Sequence, residues 1–280
     1  MTLEEVLTLA ATAEDRFEGH SPDDGWKRIF GGLVVAQALM AAYGTVEGRN
    51  CHSLHSYFLR AGDTAEPIIY EVERTRDGGA FCVRRVTATQ QGRPIFVMMA
   101  SFQKLEVGLE HQDPMPEDAA PEDLVDEMQR WLALGEALPD FARVMADRTQ
   151  RIELRRAGPP GFVPAPGNPP HKTVWMRAKR PVVLVVDRQQ ATLAYASDMT
   201  FLSTALGAHG LGVWSAGLQT ASMDHAIWFH RPIDFNQWHL FVQKSPSTSG
   251  ARGLVTGRMF SRDGVLVASM AQEGLIRQRA

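Results

Sequence analysis

Two hydrophobic rhythms alternate along the chain, and the pair of them occurs twice. Leu33-Val34-Val35-Ala36-Gln37-Ala38-Leu39-Met40-Ala41-Ala42 is apolar almost all round, which predicts a helix buried on every side. Strand-type runs follow at 52–60, 67–76, 81–90 and 94–104. Asp77-Gly78-Gly79 and Gln91-Gly92 supply hairpin turns between the last three. Ahead of this block, Leu3, Val6, Leu7, Leu9 and Ala10 predict a short amphipathic helix over 3–15. A first strand is expected at 17–19, and Ser21-Pro22-Asp23-Asp24-Gly25 is a turn cluster.

From Asp113 the pattern breaks. Asp113-Pro114-Met115-Pro116-Glu117-Asp118 is acidic and interrupted by proline. A helix is predicted over 121–137, with Pro139-Asp140 separating it from a short second one, and a strand over 151–156. Six prolines between 159 and 170 favour an extended connection. The first rhythm then returns. A strand is predicted over 171–179 and a helix over 190–206, ended by Gly207 and Gly210. Strands follow at 219–231, 238–244, 252–261 and 265–277, with Asp263-Gly264 as a hairpin turn.

The two blocks can be set in register. Phe58 and Phe229, Arg60 and Arg231, and Asp63 and Asp234 each stand 171 positions apart, and Gly92 and Gly264 stand 172 apart. A near-constant offset through elements of the same order argues for internal duplication. Each copy is one long helix followed by an antiparallel run, the pattern of a hot-dog fold, in which the sheet curls around the helix. The expected architecture is α+β, a double hot-dog: 1–112 the N-terminal copy, 113–170 a linker, and 171–280 the C-terminal copy.

Composition narrows the partners. The hydrophobic share is 44% and the charged share 22%, ordinary for a globular protein. A net charge of −3 provides no field for nucleic acid or an anionic membrane. No apolar run approaches the ~20 residues that cross a bilayer, so no membrane insertion is expected. Cys51 and Cys82 are the only cysteines; they suggest no disulfide framework and fit a reducing, cytoplasmic setting. The first residues carry no basic stretch leading into an apolar one, so no signal peptide is read there.

Duplication also provides an internal control, because a polar residue opposite an apolar one is not required by the fold. Ser222 lies opposite Cys51, and Gln272 opposite Ala100. Gln272 shares its strand face with Leu266, Ala268 and Met270, and an amide there needs partners. Asp198 falls inside the second buried helix, in Tyr195-Ala196-Ser197-Asp198-Met199-Thr200, where a carboxylate is expected to be paired or functional. Each has an ordinary explanation alone: an arginine partner, a strand-edge hydroxyl, a satisfied core amide. All three in one copy only point to a site.

Tyr195-Ala196-Ser197-Asp198, Asp224-His225-Ala226-Ile227-Trp228-Phe229-His230-Arg231-Pro232, Asp263-Gly264-Val265-Leu266-Val267-Ala268-Ser269 and Ala271-Gln272-Glu273-Gly274 resemble the acyl-CoA thioesterase II family. Phe30-Gly31-Gly32 and His55-Ser56-Tyr57-Phe58-Leu59-Arg60 agree in the first copy. The resemblance implies a double hot-dog acting on an acyl-CoA substrate, no cofactor or metal, and a homo-oligomer, dimer or tetramer. It carries the family's catalytic Asp, Thr or Ser, and Gln onto Asp198, Ser222 and Gln272. Those residues would hold a water that attacks the thioester carbonyl. An amide near the N-terminal end of the second helix is the expected oxyanion donor. A non-catalytic acyl-CoA binder is the alternative. A hot-dog hydratase fits less well, since Asp224 and His225 are adjacent and must diverge on a strand. On that ground His225 and His230 are read as strand-packing or hydrogen-bonding residues. His52-x-x-His55 is too sparse for zinc, and no G-x-S-x-G elbow occurs.

Overall fold

The computed structural model describes residues 1–278 apart from 24, 26, 134, 136–150, 158–168 and 214. Most of the predicted second linker helix and of the proline-rich stretch lies outside the described residues. Among the described residues, thirteen strands form one antiparallel sheet. In the first copy these are β1 (Ala10–Ala13), β2 (Arg16–Gly19), β3 (Asn50–Phe58), β4 (Ile68–Asp77), β5 (Phe81–Gln90) and β6 (Arg93–Gln103). Next come β7 (Ile152–Arg155), β8 (His171–Ala178), β9 (Leu218–Ser222), β10 (Asp224–Phe229), β11 (His239–Ser249), β12 (Arg252–Ser261) and β13 (Leu266–Gln278). The helices are α1 (Leu3–Leu7), α2 (Gly31–Tyr43), α3 (Glu127–Leu132), α4 (Val186–Ser197) and α5 (Phe201–Gly207).

The strand order is β1-β2-β4-β5-β6-β3-β10-β13-β12-β11-β8-β7, with β9 also on β13. Its two halves mirror each other about the β3–β10 seam, so both copies share a single sheet. The seam's ladder obeys the offset read from the sequence. His55 and Ala226, 171 apart, pair with each other, and Leu54–Ile227 and Ser56–His225 flank them symmetrically. A pseudo-two-fold axis therefore passes through the His55–Ala226 pair.

The two long helices lie side by side on the concave face of the sheet. Gly31 and Gly32, at the start of α2, touch the C-terminal end of α4, while Tyr43, at the end of α2, donates to Gln190 near the start of α4 at 2.6 Å. The helices are thus antiparallel. α2 is buried along nearly its whole length, and each Leu or Val sealed there contributes about 1.5–3 kcal/mol of transfer free energy. Gln37, wholly buried, donates to the Val6 and His20 carbonyls and accepts from Tyr70, so its amide is not left unpaired. Gln91 and Gly92 turn the β5–β6 hairpin with φ of 49° and 72°, as a two-residue loop requires.

Four predicted elements are corrected. Of the helix expected over 121–137, the described residues form a 3-10 turn at Pro121–Asp123 and then α3. The helix expected over 3–15 stops at Leu7, and Ala10–Ala13 pairs with β2 as a strand. The helix expected over 190–206 is two helices, parted at residues 198–200. The strand expected over 219–231 is broken at Met223, whose N–H donates to Glu273 while its carbonyl accepts from Phe58. The latter two breaks shape the site. Residues 104–120 form a strap without helix or strand, tied to the second copy by Gln112 against Gly264 and Leu266 and by Ala119 against Trp175.

Candidate active site

Asp198 owes its position to the break between α4 and α5. It is the C-cap of α4, not an interior residue. No glycine or proline forces this break. Instead neighbouring strands capture the groups around Thr200. The Lys172 ammonium on β8 donates to the Thr200 carbonyl at 2.8 Å, and Gln243 on β11 donates to the Thr200 hydroxyl at 2.7 Å. These bonds anchor the start of α5, and Asp198, at the end of α4, is half-buried.

Gln272 follows from strand alternation, inward on β13 with Leu266, Ala268 and Met270 and 1% exposed. Ser222 closes β9. On an unbroken strand, Ser222 and His225 would face opposite ways. The interruption at Met223 turns both toward Gln272.

The three side chains selected from the sequence are brought together. The Ser222 hydroxyl donates to Asp198 Oδ1 at 3.2 Å. Gln272 Nε2 donates to Ser222 Oγ at 2.8 Å. Two further residues complete the set. His225 Nδ1 is 2.7 Å from Gln272 Oε1, and His225 Nε2 is 2.8 Å from Ser197 Oγ. The chain runs Asp198, Ser222, Gln272, His225, Ser197 and so returns to the last turn of α4.

The N-terminal copy also reaches the site. The Gly32 N–H faces the Asp198 carboxylate closely enough to favour its charged form, and a Cβ on Gly31 would stand 2.7 Å from Asp198 Oδ2. A Cβ on Gly32 would stand 2.5 Å from the Tyr195 carbonyl, so neither position has room for a side chain without displacement. The positive end of the α2 dipole therefore meets the carboxylate. The N-terminus of α4, where an oxyanion donor was expected, lies a whole helix away, at Val186.

Burial pushes the Asp198 carboxyl above the usual carboxylate range. The His225 ring, hydrogen bonds from Gln272 and Ser222, and the Gly32 N–H oppose that rise. Burial likewise pushes the His225 imidazole down, against the pull of Asp198. A carboxylate raised in this way is poised to accept a proton nearer neutrality than a free aspartate.

The pseudo-equivalent place in the first copy holds Cys51, Leu54 and Ala100 where the second has Ser222, His225 and Gln272. Tyr43 fills it, accepting from the Cys51 N–H at 2.8 Å and packing edge-on against Phe102. At the head of the facing helix stand Val186 and Asp187, where the other end has Gly31 and Gly32. The acid, alcohol and amide stand at one end of the doubled scaffold, and Tyr43 occupies the other.

Fold and site together define a class: double hot-dog proteins with an acid, an alcohol and an amide gathered beside a helix N-terminus. Residues 22–103 match the family model described as acyl-CoA thioesterase N-terminal domain, and 145–275 the model described as acyl-CoA thioesterase. The chain is 41% identical to acyl-CoA thioesterase 2 of Haemophilus influenzae, covering 97% of this chain and 96% of that one. It is 40% identical to human acyl-coenzyme A thioesterase 8, covering 97% of this chain and 88% of that one. The crystal structure of an acyl-CoA thioesterase II, TesB2, from Mycobacterium marinum superposes with a TM-score of 0.83 at 37% identity, covering 100% of this chain and 99% of that one. This chain belongs to the acyl-CoA thioesterase family.

Sequence reasoning read His225 as a strand-packing or hydrogen-bonding residue, as it is, but did not join it to Gln272, and it did not find Gly31 and Gly32 as walls of the site. Strand alternation predicts that His225 points inward but cannot supply its partner, 47 residues away. The glycine pair was visible as the lead-in to a buried helix and as part of the family resemblance, but not as a wall of the site.

Proposed function

We propose that the chain hydrolyses fatty acyl-CoA thioesters to free fatty acid and CoA, with one water activated by Asp198 and oriented by Ser222 and Gln272. In this reading the water oxygen bonds to the thioester carbonyl carbon, Asp198 takes the water's proton, and the C–S bond breaks as the thiolate leaves. The proton then passes to the thiolate or to solvent. General-base assistance of this kind supplies ~10²–10⁴-fold. The first-turn amides of α2 are the nearest backbone dipoles for the developing oxyanion.

The observation that carries the reading is the Ser222 hydroxyl, which contacts both Asp198 and Gln272 in the one copy that retains all three. Retention of that set, with the opposite end closed by Tyr43, favours an enzyme over a non-catalytic acyl-CoA binder. Incubation with palmitoyl-CoA and a thiol reagent decides between them. Steady thiol release, lost in Asp198→Asn, is expected of the enzyme; binding without release would leave only a carrier.

Cys51 and Cys82 are free, buried thiols, which suits a reducing compartment, and within this reading the protein works in the cytoplasm. A homo-oligomeric assembly is part of the same proposal, and light scattering of the purified chain tests it.

A further inference from the structure

We propose that His225 is a positioning residue that fixes which way the Gln272 carboxamide faces, and thereby the direction of the hydrogen-bond chain ending on Asp198. The proposal rests on the reading of Asp198, Ser222 and Gln272 given above. A glutamine amide has two ends of nearly equal shape, one accepting and one donating. Which end meets Ser222 decides where the serine's single proton goes. With Nε2 toward Ser222, the amide donates and the hydroxyl proton is free for Asp198. With Oε1 toward Ser222, the amide claims that proton and the carboxylate loses a donor.

An ionised carboxylate only accepts, and hydrogen bonds to it are roughly twice as strong as neutral ones. Asp198 therefore draws the chain in one direction: Ser222 donates to Asp198, Gln272 Nε2 to Ser222, and His225 Nδ1–H to Gln272 Oε1. His225 supplies the terminal donor. It is 0% exposed, as is Ser197, while Gln272 is 1% exposed. No water reaches that end to substitute, whereas Asp198 and Ser222 are half-buried. The gradient separates groups that can touch substrate from groups that act through them.

The first copy shows that the fold does not need an imidazole here. Leu54 is the pseudo-two-fold mate of His225 and is wholly buried on the adjoining strand. His225→Leu leaves Gln272 Oε1 without a donor, while the Ser197 hydroxyl, whose proton goes to Nε2 when Nδ1 carries the ring proton, turns instead to the Ala194 carbonyl at 3.0 Å. His225→Asn keeps an N–H close to the place of Nδ1.

The test combines H225L, H225N, Q272A and the H225L/Q272A double variant with palmitoyl-CoA as substrate. H225L is expected to lower kcat about 10- to 100-fold, the range for a buried amide oxygen that loses its donor, with KM within about twofold. H225N is expected to recover most of that loss. In the Q272A background, H225L is expected to cost nothing further, because its effect runs through the amide. An equal loss in both backgrounds, or H225N no better than H225L, overturns the positioning role. So does unaltered H225L turnover beside an impaired Q272A. Undiminished kcat in Q272A instead overturns the catalytic reading of Gln272, and the positioning role with it. Imidazole 15N shifts of the unmodified protein, assigned by difference from H225N, add a readout that needs no leucine variant. A protonated Nδ1 is expected, and an unprotonated Nδ1 refutes the proposal.

Discussion

Gly31→Ala separates chemistry from stability. The added Cβ would stand 2.7 Å from Asp198 Oδ2 and 3.0 Å from two carbons of the Phe58 ring. Ordinary van der Waals contact begins at 3.4 Å, so the carboxylate must retreat by about 0.7 Å. The obstacle is the free end of a side chain and can rotate away, so the fold is expected to yield there at little cost. Alanine is also the better helix former, by up to ~1 kcal/mol in a helix interior and less at a first position. The reaction is less forgiving, because misplacing a reacting group by about 1 Å can cost ~10²-fold. The expected result is a 10- to 100-fold fall in kcat, measured as thiol release from palmitoyl-CoA, with a melting temperature equal to or slightly above that of the parent. A variant that melts normally and turns over within twofold of the parent would refute the placement of Gly31 against the reacting carboxylate.

Asp198→Asn should lower kcat by ~10²–10⁴-fold yet raise stability at neutral pH. Because burial raises the folded-state pKa of Asp198 above its ordinary value of 3.8, the protonated form is favoured in the fold. That contribution is complete below pH 3.8 and is lost as pH rises through the folded pKa. Melting curves should show the asparagine variant ahead at pH 7 and level with the parent in acid. Ser222→Thr should keep most activity, since the hydroxyl survives, whereas Ser222→Ala should lose at least tenfold; equal rates for the two would remove Ser222 from the mechanism. Tyr43→Phe deletes a hydroxyl bonded to Gln190 Oε1 and to the Cys51 N–H. It should cost ~1–3 kcal/mol in urea unfolding while leaving kcat unchanged.

Much of the fold was legible because its determinants are local or periodic. The buried helix at 33–42 announced itself by an unbroken apolar surface, and the hairpins by Gln91-Gly92 and Asp263-Gly264. The 171-residue offset reappears in the pairing of His55 with Ala226. Asp198, Ser222 and Gln272 were found by comparing copies, a test that requires no knowledge of their contacts. What escaped was decided by tertiary competition. Tyr195 to Leu202 reads as helix, and the structure divides it at residues 198–200, beside Thr200, which Lys172 and Gln243 hold from other strands. The Met223 interruption, which lets Ser222 and His225 face one amide, depends on bonds to Glu273 and Phe58 from other strands. Gly31 and Gly32 belong to the copy that lacks the acid, so a comparison seeking chemistry within one copy passes over them.

The contact of Gly31 and Gly32 with Asp198 bears on how this enzyme can be re-engineered. A library restricted to the C-terminal copy, where acid, alcohol and amide all reside, leaves the wall behind the carboxylate unsampled. Variation in the N-terminal copy would reach the Asp198 carboxylate through backbone positions where an added carbon displaces it without unfolding the chain.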